Sequence, residues 1–284
     1  MSYNKIIIEQ KIKEFLREDC SYLDVSSKFI SEEAQGSAKI IVKSEGYVSG
    51  LEELKILYDL SNVSTNFLKK DGDGVNKGDV IVELKGKTKD ILFGERVGLN
   101  LITHMSSITT TVKCFVKLIK NSGKNVKIAC TRKTIPGMRI FEKKAVELGG
   151  GDSHRFSLSD MILLKDTHLK HYNGDVENLL KSVKKSASFT KKIEIEIEKV
   201  EDVLVAAENG ADIIMLDNMS PDMVEDAINL LKKNNLRECV IIEISGGINL
   251  DNIIDYLISE PDIISTGELT QFPSQKMDFT LRFV

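Results

Sequence analysis

Apolar residues recur at Ile8, Ile12, Phe15 and Leu16, the spacing of one helical face, so the chain is expected to open on an amphipathic helix. Glu18-Asp19 and Asp24-Val25-Ser26-Ser27 follow as a polar loop. Lys39 to Val48 has the β-branched character of a strand, and Leu51 to Leu60 that of a short helix. Lys70-Asp71-Gly72-Asp73-Gly74 then reads as a turn into a strand from Asp79 to Leu84. A long helical pattern runs from Lys89 to about Lys120, with a break and a domain boundary expected near Ser106-Ser107.

Beyond that point short apolar runs alternate with helical ones. Strands are expected at Val126–Cys130, Met161–Lys165, Lys192–Ile197, Asp212–Leu216, Val240–Ile244 and Ile263–Thr266. Helices are expected at Arg139–Leu148, Val176–Lys185, Val200–Asn209, Pro221–Asn234 and Asn249–Leu257. This alternation predicts an α/β fold with a parallel sheet, open or closed into a barrel. Six strands are fewer than the eight of a regular barrel, so an incomplete one fits equally well.

Composition changes this picture only by exclusion. The 284 residues are 42% hydrophobic and 29% charged, an ordinary globular mixture. A net charge of -4 argues against nucleic acid or an anionic membrane as partner. No apolar run approaches the ~20 residues of a membrane span, and Ile6-Ile7-Ile8 is too short for a secretory signal. Cys20, Cys114, Cys130 and Cys239 form no CxxC pair, which fits free thiols in a reducing cytoplasm. Asp71-Gly72-Asp73-Gly74 fails as a calcium loop, because Asn76 and Val82 stand where an EF-hand needs Gly and Glu.

The chemistry gathers at the strand ends. The strand Val126–Cys130 empties into Arg132-Lys133 and a Pro136-Gly137 turn. After the next helix come Gly149-Gly150-Gly151 and the cations His154-Arg155. Guanidinium forks suit carboxylates and phosphates, although the same residues could form a solvated basic surface. The carboxyl ends of the successive strands carry Arg132 and Lys133, Lys165, Glu196, Asp217, Ser245-Gly246-Gly247, and Thr266-Gly267. In βα barrels that rim holds the active site.

Lys192 to Glu198 alternates with period two, which puts Glu194, Glu196 and Glu198 on the face opposite the isoleucines. Inside a barrel such carboxylates need cations, a metal or solvent, and Lys133 and Lys165 are candidate partners. On an open edge strand they would be a solvated acidic face. Ser245-Gly246-Gly247, leading into a helix at about Asn249, and Gly267 after the next strand, offer backbone N–H groups to phosphates. Five cations, two strand-end carboxylates and two such loops suit a small ligand with several phosphates and carboxylates, brought in with Mg²⁺. The reaction indicated is transfer at an anomeric carbon with pyrophosphate leaving.

Thr131-Arg132-Lys133-Thr134-x-Pro136-Gly137-x-Arg139, Gly149-Gly150-Gly151-x-x-His154-Arg155, Lys165-Asp166-x-His168, Leu216-Asp217-Asn218 and Ser245-Gly246-Gly247-Ile248 occur in that order. With Glu95-Arg96-x-x-Leu99-Asn100 they resemble the quinolinate phosphoribosyltransferase family, the carboxylating nicotinate-nucleotide pyrophosphorylases, nearly end to end. The resemblance implies a type II phosphoribosyltransferase fold: an α+β front domain over 1–107 and an open α/β barrel over 108–270, with the tail 271–284 packing back on the front domain. It implies a cytoplasmic homodimer or larger homo-oligomer whose sites lie at the subunit interface.

By position, Arg132, His154 and Arg155 resemble the family's binders of the quinolinate carboxylates, with Arg96 reaching in from a partner subunit. Lys133 and Lys165 resemble its central lysines. Glu196 and Asp217 match the acidic pair on ribose and magnesium, and Ser245, Gly246, Gly247 and Gly267 match the loops for the 5-phosphate of phosphoribosyl pyrophosphate.

The family pattern is departed from at Leu23 for Gly, in Ser106-Ser107-Ile108-Thr109-Thr110 for the usual SGIAT, at Thr167 for Asn and at Gln271 for His. Cys130 before Thr131 is more like the related ModD proteins of molybdate operons, which usually lack the lysine found here at 165. The expected reaction converts quinolinate and phosphoribosyl pyrophosphate to nicotinate mononucleotide, CO2 and pyrophosphate. A ModD-like acceptor or non-carboxylating use of nicotinate are the alternatives. A pure binding role would leave Glu196 and Asp217 without a purpose.

Overall fold

The computed structural model describes residues 3–284. It opens on α1 (Lys5–Asp19), whose cap Asn4 accepts the Ile6 N–H at 3.1 Å and whose buried face is Ile8, Ile12 and Leu16. There follow β1 (Gln35–Val42), β2 (Gly46–Tyr47), α2 (Leu51–Leu60), β3 (Ser64–Phe67), β4 (Gly74–Val75), β5 (Val80–Lys87) and α3 (Thr88–Asn121). Next come β6 (Lys127–Cys130), α4 (Arg139–Gly149), β7 (Ile162–Leu164), α5 (Asp166–His171), α6 (Val176–Ser186), β8 (Ile193–Ile197) and α7 (Val200–Glu208). The chain closes with β9 (Ile213–Asp217), α8 (Pro221–Lys233), β10 (Ile241–Ser245), α9 (Ile253–Leu257), β11 (Ile263–Thr266) and β12 (Phe279–Phe283).

Two compact units result. One gathers the residues up to Lys113 with Thr134–Gly150 and Leu269–Val284; the other is Cys114–Lys133 with Gly151–Glu268. In the first unit an antiparallel sheet runs in the order β12-β1-β5-β3, with Ile40 opposite both Leu281 and Val82. Ala38, Ile40 and Val42 alternate into its core. The expected strand over Lys39–Val48 is thus two strands, β1 and β2. Segment 134–150, which the alternation assigns to the barrel region, clusters with this unit, and Lys144 there bonds Glu52 at 2.6 Å and Glu53 at 2.7 Å.

The expected break at Ser106-Ser107 does not occur: α3 runs through it without interruption. Serine breaks helices when its hydroxyl competes for nearby backbone groups. Here Ser106 Oγ accepts the Ser49 N–H at 2.9 Å and donates to Ser49 O at 3.2 Å. Ser107 Oγ donates to Thr103 O at 2.7 Å and accepts the Met277 N–H at 3.0 Å. The small polar pair lets other segments approach the helix closely. Ser106→Ala should leave both Ser49 backbone groups short of a buried partner, costing about 1–3 kcal/mol of stability. A lowered urea midpoint checks this.

The second unit is built on a six-stranded, wholly parallel sheet in the order β6-β11-β10-β9-β8-β7. These are the six apolar runs of the sequence. Among the described residues β6 and β7 do not pair with each other, and a single bridge from Ala129 to Asp152 adds a position beside β6. The barrel is therefore incomplete. Its helices turn apolar stripes inward, Val203, Ala206 and Ala207 on α7 and Val224, Ala227, Ile228 and Leu231 on α8. Ser220 caps α8 by accepting the Met223 N–H, with Pro221 in its first turn.

The helix expected from Asn249 begins only at Ile253. Asn249 and Asn252 instead accept neighbouring amides, from Asp251 and from Asn249 itself, each at 2.9 Å, and hold a turn. Among the described residues no helix is long and apolar enough to cross a membrane, and the four cysteines form no disulfide. Because every strand of this sheet runs the same way, their carboxyl ends share one rim.

Candidate active site

Lys165 follows β7 directly and starts α5, where its N–H donates to His168 Nδ1 at 3.0 Å. Its Nζ lies 2.5 Å from Glu196 Oε1 near the end of β8. Of the pair Lys165 is the more exposed, at 47% of its side chain against 11% for Glu196. Burial pushes the Glu196 carboxyl above its ordinary range, and Lys165 pulls it back. Asp217 ends β9, the neighbouring strand, and accepts from Asn218 Nδ2 at 3.0 Å. Its charge adds to the upward push on Glu196. Two hard carboxylates on adjacent strand ends are the donor set Mg²⁺ takes when it also keeps waters and substrate phosphates.

On the next strand ends the backbone is shaped for close approach. The Asn218 N–H donates to Ser245 O at 2.9 Å. Gly246 has φ +99°, and a Cβ there would fall 2.2 Å from Asn218 Oδ1, so both conformation and space demand glycine. Gly247 also has positive φ, +65°, but faces open space. Thr266 Oγ1 donates to Ile248 O at 2.7 Å and accepts the Glu268 N–H at 3.2 Å, which ties the loop after β10 to the Gly267 turn after β11. The open glycine face beside tied loops has the form of a backbone cradle for an anion.

The cations converge as well. Arg132, Arg155, Lys165 and His168 line one cavity of about 420 Å³. Burial first, and then the neighbouring Arg132 charge, lowers the proton affinity of Arg155 below the usual arginine range. Two guanidinium groups that repel each other in one cavity suit a ligand with more than one negative charge. Lys133 is exposed, and its N–H donates to Thr131 Oγ1 at 3.0 Å. Arg96 belongs to the first unit, where it is exposed on α3 beside a cavity of about 560 Å³ lined also by Phe15, Asn100, His104 and Pro136.

The period-two reading of the acidic strand resolves into three environments. Glu198 is exposed beyond the strand, Glu196 is paired to Lys165, and Glu194 is fully buried. His154 Nε2 lies 3.0 Å from Glu243 Oε2 and 3.9 Å from Glu194 Oε2, and Glu243 is equally buried. Burial, and then the Glu243 charge, pushes the Glu194 carboxyl up to about 8. Sequence reasoning missed Glu243 altogether. Its signal was available, an acid inside the otherwise apolar parallel strand Ile241-Ile242-Glu243-Ile244. His168 was quoted only as part of a motif.

Two domain families match the sequence. Residues 24–106 match the quinolinate phosphoribosyl transferase N-terminal domain, and residues 108–282 match its C-terminal domain. The chain is 46% identical over 245 residues to a probable carboxylating nicotinate-nucleotide pyrophosphorylase of Archaeoglobus fulgidus, covering 86% of this chain and 93% of that one. It is 32% identical over 271 residues to the human carboxylating nicotinate-nucleotide pyrophosphorylase, covering 95% and 90%. The solved nicotinate-nucleotide pyrophosphorylase of Francisella tularensis superposes with a TM-score of 0.89 at 30% identity, covering all of this chain and 98% of that one. This chain belongs to the quinolinate phosphoribosyltransferase family.

Proposed function

We propose that this protein is a carboxylating nicotinate-nucleotide pyrophosphorylase, a pentosyltransferase. It joins quinolinate to the phosphoribosyl group of phosphoribosyl pyrophosphate and releases CO2 and pyrophosphate. The observation that carries the reading is the pair of like-charged arginines, Arg132 and Arg155, in one cavity with Lys165. A dicarboxylate can meet both guanidinium groups of such a pair, where a monocarboxylate can meet only one.

In this reading the arginines hold the acid with its ring nitrogen towards the ribose, and Lys133 and Lys165 place positive charge between the two substrates. The loops at Ser245–Gly247 and Gly267 take the 5-phosphate. Glu196 and Asp217 face the ribose, where positive charge grows at the anomeric carbon as pyrophosphate leaves. Glu196 and Asp217 would hold Mg²⁺, directly or through water, and the ion would supply charge that neutralises pyrophosphate. Once the ring nitrogen is bonded to the sugar it is cationic. The electron pair left on the adjacent ring carbon when its carboxylate departs as CO2 is stabilised by that cationic nitrogen and then takes up a proton from solvent.

Arg96 completes the acid site of a partner subunit, which makes the working form a homodimer or a larger oligomer built on it. Arg96→Ala and Lys165→Ala chains, each inactive alone, should recover part of the activity when mixed, because a hybrid dimer has one site free of both changes. No recovery after verified subunit exchange contradicts the shared site. The substrate itself is tested with a panel of pyridine carboxylates and phosphoribosyl pyrophosphate. Quinolinate should be turned over in preference to nicotinate, and the opposite preference overturns the proposal.

A further inference from the structure

Ile135-Pro136-Gly137-Met138 is a β-turn: the Met138 N–H donates to Ile135 O at 2.9 Å, and Gly137 stands at φ +85°. Proline followed by a left-handed glycine is the order a type II turn requires. The turn uses the Ile135 carbonyl and leaves its N–H over. That N–H donates to Glu142, in the first turn of α4, at 3.2 Å to Oε2 and 3.3 Å to Oε1. The same Oε1 lies 2.8 Å from Nε2 of His104 on α3, and the Glu142 side chain is fully buried. Acids suit the first turn of a helix in general, but an exposed one serves that end equally well. A buried one is tolerated where donors meet it, and here both donors come from outside α4.

His104 also has an outer side. Arg96, Asn100 and His104 stand four residues apart on α3, so they share a face, and all three line the cavity of about 560 Å³. Ile135 and Pro136 of the turn line it too. We infer that His104 and Glu142 are positioning residues for the reaction: the imidazole donates from Nε2 and orients the buried carboxylate, which holds through the Ile135 N–H the turn on which the chain leaves Lys133. Ile135 is two residues beyond Lys133, so the set of the turn reaches the lysine through a short, stiff stretch of backbone. The pair thus serves the site of its own chain, whereas Arg96 on the same helix face serves the partner's. The inference rests on the proposed function for the roles of Lys133 and Arg96.

His104→Leu removes the donor, and His104→Gln keeps one. With whichever pyridine acid the panel shows to be turned over, the leucine variant should lose roughly 10-fold in kcat/KM, and the glutamine variant should recover most of it. Glu142→Leu should lose at least as much, and the double variant no more than the larger single loss, because both act through one bond to Ile135. Additive losses, or a glutamine variant as poor as the leucine one, overturn the inference. Should Glu142→Leu fail to fold, the two His104 variants carry the test.

Mixing shows which chain's site suffers. His104→Leu combined with Arg96→Ala should give hybrid dimers with one intact site and recover activity, whereas combined with Lys165→Ala it should recover none. The reverse pattern means that His104 serves the partner's site directly, and overturns the inference. Hydrogen exchange needs no substrate: the Ile135 amide should be protected in wild type and lose protection in His104→Leu and Glu142→Leu. Unchanged protection in both variants overturns the inference as well. Wild type that ignores quinolinate, yet shows these effects with another acid, counts against the functional reading alone.

Discussion

Lys165→Ala is expected to lower kcat by on the order of 10²- to 10³-fold while the fold survives. The lysine is half-exposed just beyond a strand end, outside the buried core. Its ion pair with Glu196 joins a half-exposed lysine to a largely buried carboxylate, so losing the lysine should cost on the order of 1–3 kcal/mol of stability without unfolding the chain. Its charge matters during reaction, when the acid and the phosphoribosyl group crowd together and negative charge moves onto the leaving pyrophosphate. Steady-state kinetics together with a thermal melt separate the two. An unfolded variant, or one with near-normal kcat, contradicts the assignment.

Glu196→Gln is the second large effect, a loss in kcat of roughly 10²-fold or more, a few kcal/mol, with modest change in KM for quinolinate. A carboxylate facing the anomeric carbon interacts most strongly when positive charge grows there, so it lowers the barrier more than it tightens binding. Asp217, on the adjacent strand end, faces the same charge. Glu198→Gln is the control, because Glu198 is exposed outside the strand. It should change kcat little. Equal losses at 196 and 198 would make the strand a structural charge ladder, with no part in the chemistry.

Much of the second unit was legible because its signals are local. Each apolar run of about five residues between helical stretches is a strand, and Arg132, Lys165, Glu196 and Asp217 follow from standing at strand ends. Period-two alternation also placed Glu194 inside. That it meets Glu243 around His154 was illegible, although Glu243 itself carries a signal, because the two lie two strands apart in the sheet and nothing in the local pattern links them. The first unit misled at Ser106-Ser107 for the same reason. Those hydroxyls are satisfied by Ser49 and Met277, so a pattern that locally reads as a break is a packing face. The bridge at Asp152 gives no strand signal because it is a single residue. Arg96 shows the limit from the other side: its sequence motif suggests a role, but within its own unit it lines a cavity with Phe15, His104 and Pro136 of that same unit.

The central claim is that a paired-arginine cavity and an acidic strand-end pair carry out phosphoribosyl transfer coupled to loss of a carboxylate. The most direct measurement supplies the purified protein with phosphoribosyl pyrophosphate, Mg²⁺ and quinolinate carrying isotope in the carboxyl group beside the ring nitrogen. Nicotinate mononucleotide, pyrophosphate and labelled CO2 are expected in equal amounts. Pyrophosphate release with the label retained in the nucleotide, or turnover of nicotinate but not of quinolinate, would contradict it.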